Sequence, residues 1–69
     1  MKTVQIYNLC DEDFTEQEPK VQVTTRMAST FIIERVRRGT YIAYNRTEFV
    51  GGQKIYNGIE GLRRDLLIR

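Results

Sequence analysis

Five carboxylates crowd one short stretch, at Asp11, Glu12, Asp13, Glu16 and Glu18. Carboxylates at such spacing could in principle do acid–base work or hold a hard cation. A calcium loop needs acidic residues at alternate positions, a central glycine and a closing glutamate. No glycine stands between Cys10 and Pro19. The run therefore reads first as a solvated loop and second as a cation site. Cys10 directly precedes two of these acids, and their field raises a thiol pKa rather than lowering it. The chain contains no histidine, so a Ser-His-Asp or Cys-His nucleophile lacks its base. With a single cysteine, a structural zinc site lacks its ligands. The expectation is a protein without catalytic residues, cofactor or metal.

The second group of chemistry-bearing residues is basic. Residues 1–19 carry a net charge of −4 and residues 20–69 carry +6. Eight of the eleven cations are arginines. Guanidinium groups grip carboxylate and phosphate bidentately and stack on aromatic rings, which suits docking to an anionic partner. Arg35, Arg37, Arg38 and Tyr41 lie close together in the chain, with Arg26 upstream and Tyr44 downstream. Met27 and Phe31 are apolar residues beside them, and methionine, aromatics and arginine are enriched at protein interfaces.

Placing these groups requires a fold. Thr3 to Tyr7 alternates polar and apolar residues and predicts a strand. Asn8 to Pro19 is a loop, with Phe14 either pinning it to the body or serving as a docking anchor. Lys20 to Thr24 predicts a second strand. Residues 25–38 admit two readings. As a helix, Thr24 or Thr25 caps the start, arginines fill the last turn and Gly39 ends it. As a hairpin, the two arms join through Arg37, Arg38 and Gly39. The helix is the reading adopted, because the hairpin registers mix polar and apolar residues on each face. Thr40 to Tyr44 and the segments around Phe49 and Ile55 predict further strands. Asn57 then caps a C-terminal helix, with Glu60 as its reciprocal partner, a Glu60–Arg64 pair and an Ile59, Leu62, Leu66 stripe.

The expected architecture is a single small α+β domain over residues 1–69. Its single sheet has about four strands, with one or two helices packed on it in the order β-β-α-β-β-α. The alternative is a β-meander with one C-terminal helix. The expected core is Val4, Ile6, Val21, Val23, Ala28, Ile32, Ile33, Val36, Ile42, Tyr44, Phe49, Ile55, Ile59, Leu62 and Leu66. Such a core is thin, and association, a homodimer included, would reinforce it. Met27, Phe31 and Ile68 are left outside it.

No apolar stretch is long enough to span a membrane. A lone cysteine and the absence of a signal-peptide pattern suggest a reducing, cytoplasmic compartment. In that setting the Asn45-Arg46-Thr47 glycosylation triplet carries no weight.

Two functions fit this reading. The first is a non-enzymatic module that docks on a larger protein or ribonucleoprotein and modulates it, through Arg35, Arg37, Arg38, Tyr41, Phe31 and Met27. The acidic residues Asp11, Glu12, Asp13, Phe14 with them, Glu16 and Glu18 are its second candidate surface. Stand-alone proteins of this size are common among viral and mobile-element inhibitors. The second is a small nucleic-acid-binding protein using Arg35, Arg37, Arg38 and Tyr41 for phosphate contact and stacking. Against it stand a net charge of only +2 and the acidic loop. No RRM, KH or zinc signature is present.

Overall fold

Val21 and Val23 alternate with Lys20, Gln22 and Thr24, and this segment forms strand β2, Lys20–Thr24, with both valines fully buried. The same rule of two organises the sheet in the computed structural model, which describes all 69 residues. Its five strands run in the order β1-β2-β3-β4-β5, with β1 at Lys2–Gln5, β3 at Thr30–Arg37, β4 at Thr40–Tyr44 and β5 at Gln53–Tyr56. From β2 onward each strand pairs antiparallel with its predecessor, which makes a meander. β1 lies parallel to β2, with Val4 beside Val23.

A parallel pair cannot be closed by a tight turn. The crossover from β1 to β2 carries two short 3-10 turns, at Ile6–Asn8 and Asp11–Asp13. It contributes Ile6, Leu9 and Phe14 to the core. The helix α1, Ile59–Leu67, adds Leu62 and Leu66. The covered side of the sheet supplies Val21, Val23, Phe31, Ile33, Tyr41, Ala43 and Tyr56. The other side carries Gln22, Ile32, Glu34, Ile42, Tyr44 and Ile55, none of them buried.

The structure is therefore the meander with one C-terminal helix, plus a parallel fifth strand, and not β-β-α-β-β-α. Residues 30–37 are strand where a helix was expected. Gly39, expected to end that helix, has φ of 86° in the turn of the β3–β4 hairpin, a backbone state that glycine adopts without steric cost. The core differs accordingly. Ala28, Val36 and Ile55 are exposed, and Ile32, Ile42 and Tyr44 are half-buried on the open face. Leu9, Phe14, Phe31, Tyr41 and Tyr56 take their places. The helix begins at Gly58 without a side-chain cap, so Asn57 does not form the expected capping box. Glu60 and Arg64 are not among the ion pairs of the structure.

Candidate protein-docking surface

The β2–β3 turn is built on Thr25. Its amide donates to the Ser29 carbonyl at 2.9 Å, and its carbonyl accepts from Ala28 at 3.0 Å. Its Oγ1 accepts from the Ser29 amide at 3.2 Å and donates to the Arg69 carbonyl at 3.2 Å. One buried threonine thus ties the turn to the chain segment that follows α1. Ala28 has φ of 65°, the sole non-glycine residue with positive φ. A left-handed alanine is strained, since its Cβ crowds the following carbonyl oxygen.

This arrangement sets Met27 beside Ile68. Both are widely exposed, at 76% and 82%. With Arg26, Leu67 and Arg69 they line a shallow groove of about 290 Å³. Leu67 and Ile68 also line a second depression of about 420 Å³ with Glu60, Arg63 and Arg64. The two share walls, so the surface is continuous: an apolar strip of Met27, Leu67 and Ile68 with arginines on both flanks.

Those arginines differ in their partners. Arg69 is held by Glu48 at 2.7 Å and Asp65 at 3.7 Å, and its guanidinium lies 5.0 Å from the centre of the Phe49 ring. Arg26, Arg63 and Arg64 form no ion pair. Arg63 reaches only a carbonyl, that of Tyr7, at 3.3 Å. The strip is therefore flanked by three arginines that have no carboxylate partner within the chain.

The basic cluster expected from the sequence is divided. Phe31 is fully buried and Tyr41 is 2% exposed, so both are core and neither presents a surface. Arg35 faces the same side as Tyr41 and binds Asp11 at 3.0 Å. Only Arg37 and Arg38 stay exposed and without an ion pair. They lie at the β3–β4 turn, with Thr15, Glu16, Pro19 and Val36. Met27 lies beyond the opposite end of β3, roughly 24 Å away at a strand's rise per residue.

The acidic run is also divided. Phe14 packs edge-on against Tyr41, with ring centres 5.2 Å apart, and is core rather than a docking anchor. Asp11 accepts from the Tyr41 hydroxyl and from Arg35. These bonds, the tyrosine's first, hold its carboxyl below the usual range. Asp13 accepts from the Cys10 amide at 2.9 Å and from Lys2 at 3.4 Å. Glu12, Glu16 and Glu18 face solvent. No group of three or more acidic or cysteine side chains could hold a metal ion. The Cys10 thiol is pushed up, first by the neighbouring Glu12 and then by desolvation and by Asp13, whose Oδ2 lies 3.6 Å from the sulfur.

Sequence reasoning left Met27 and Ile68 over as apolar residues without a core position. What it lacked was their adjacency, which depends on β3 being a strand. No family model, curated protein or solved structure matches the chain. No helix is long and apolar enough to cross a membrane.

Proposed function

We propose that this protein is a non-enzymatic module that docks on a larger protein and modulates it. The docking surface is the Met27–Leu67–Ile68 strip with Arg26, Arg63 and Arg64. One observation carries the reading: two large apolar side chains, far apart in sequence and more than three-quarters exposed, share one groove with the unpaired Arg26, and the unpaired Arg63 and Arg64 line the depression that adjoins it. Aromatic, methionine and arginine side chains mark the anchors of interfaces, and apolar surface held in water gains most when a partner covers it. The complementary partner presents aliphatic side chains flanked by Asp or Glu.

The nucleic-acid alternative rests on Arg37 and Arg38. It loses support because Tyr41, the ring expected to stack on a base, lies in the core. Capture of partners from host extract on the immobilised chain, with and without nuclease, separates the two. The proposal expects a protein retained after nuclease treatment, with a shallow dependence on salt. Material that disappears with nuclease and is released steeply by salt would overturn it.

A further inference from the structure

β5 is the last strand of the sheet, so one side of its backbone has no neighbour. The ladder shows which groups face that side. The Asn45 amide donates to the Gly52 carbonyl at 3.0 Å, and these two residues continue the register that pairs Tyr44 with Gln53. Backbone groups alternate in direction along an antiparallel strand. Ala43 and Tyr41 therefore bond Lys54 and Tyr56, and the amides and carbonyls of Gln53 and Ile55 point outward.

Sheet edges are ordinarily guarded by short length, charge, proline, a bulge or a covering segment, and of these β5, at four residues, has the first. β5 contains no proline and its pairing with β4 has no bulge. Its one charged residue is drawn away from the edge: Lys54 Nζ lies 3.2 Å from Asp65 on α1 and 5.3 Å from the centre of the Tyr56 ring. On the open face Ile55 stands opposite Ile42, with Ile32 diagonal to Ile42 on β3. This aliphatic row ends in water at Ile55, which is 58% exposed. The other edge is unlike it, since β1 shows Thr3 and Gln5 on that face.

We propose that this edge is an interface between two copies of the chain, paired β5 to β5 antiparallel about a two-fold axis through Ile55. Directly opposed residues of an antiparallel pair point to the same face, which limits where the axis can fall. An axis at Ile55 sets each Ile55 against the other, Gln53 against Asn57, and Lys54 against Tyr56. The outward groups of both strands then meet, and the Ile32–Ile42–Ile55 row runs on into the second copy. An axis at Lys54 would oppose two lysines, which repel. An axis at Tyr56 would set Ile55 against Asn57 and bring Lys54 to Gly58, where φ of 141° has already ended the strand. The contact is the same patch on both copies, so it closes at two chains.

Sedimentation equilibrium on the intact chain over a wide concentration range tests this, with amide hydrogen exchange on the same samples. The mass is expected to double and then level off, and exchange at Gln53 and Ile55 to slow in step with it. Ile55→Lys puts two charges on the axis at an exposed position and is expected to stay at one chain throughout. A mass of one chain at every concentration overturns the proposal. So does a dimer with freely exchanging Gln53 and Ile55 amides, a dimer that survives in folded Ile55→Lys, or a mass that climbs without a plateau. If Ile55→Lys does not fold, mass and exchange in the unaltered chain decide the matter alone.

Discussion

Tyr41, on β4 beside the edge strand, donates its hydroxyl hydrogen bond to Asp11, thirty positions earlier in the β1–β2 crossover. Arg35 reaches the same carboxylate from β3. The acidic loop and the basic cluster, which look like opposed surfaces in the sequence, are thus joined inside one domain. Removing the hydroxyl in Tyr41→Phe is expected to cost about 1 kcal/mol by urea denaturation at neutral pH. That is below the usual worth of a bond to a charged acceptor, because Asp11 keeps contact with water.

The same pair sets a pH dependence. Burial, and then Asp11, push the Tyr41 hydroxyl up to about 12. The unfolded chain ionises first, so this contribution is full below about pH 10 and is lost as pH rises toward the folded value. Tyr56 is raised in the same sense by burial and Asp65. Asp11 and Asp65 are lowered, each first by its tyrosine. Their contribution is present above about pH 4 and is lost as pH falls through the folded values. Stability measured against pH is expected to decline at both ends. Tyr41→Phe should make the alkaline decline shallower, and Asp11→Asn the acid one.

β3 supplies a direct test of its own register. Ile33 is fully buried and Ile32 lies half-buried on the open face. Ile33→Ala is expected to cost about 2–5 kcal/mol, a large share of the ~5–15 kcal/mol typical of a domain. Ile32→Thr should cost about 1 kcal/mol or less, since threonine suits a strand and little burial is lost. Equal losses by thermal or urea unfolding would contradict the register.

How far these elements can be read from sequence depends on which side of the sheet is covered. β2 is legible in full, because Val21 and Val23 alternate with Lys20, Gln22 and Thr24. β4 is legible as a strand, though its covered side is Tyr41 and Ala43 rather than the expected Ile42 and Tyr44. β3 is not. Its buried side reads Phe31, Ile33, Arg35 and its open side Thr30, Ile32, Glu34, so aliphatic and charged residues occur on both. Ile32 is tolerated outside, and Arg35 is satisfied inside by Asp11, a partner that only the crossover brings within reach. The helix signals at residues 25–38 were real turn signals: Thr25 organises the β2–β3 turn and Gly39 the next. Of the site, Met27 and Ile68 were visible as unplaced apolar residues, while the groove they share required the strand.

Ala28 offers a further test, because the left-handed state costs a Cβ-bearing residue roughly 1–2 kcal/mol. Ala28→Gly removes that strain but makes the unfolded chain more flexible. The net expectation is a stability gain of up to about 1 kcal/mol by denaturant titration. Loosening the turn that carries Met27 should at the same time weaken docking.

Cys10 should be inert by comparison. Its thiol is raised by Glu12 and Asp13, so little thiolate exists at neutral pH. Alkylation is expected to run slower than for a free cysteine, and Cys10→Ser should leave both stability and docking unchanged.

Titration calorimetry of the captured partner against two double variants addresses the central claim most directly. Met27→Glu with Ile68→Glu places charge on the apolar strip, and Arg37→Glu with Arg38→Glu reverses the far turn. All four positions are exposed, so both proteins are expected to fold. The proposed docking surface predicts that the first pair abolishes binding and the second leaves it within about threefold, roughly 0.65 kcal/mol. Full-strength binding by a folded Met27→Glu, Ile68→Glu protein, with loss in the Arg37→Glu, Arg38→Glu protein, would contradict it.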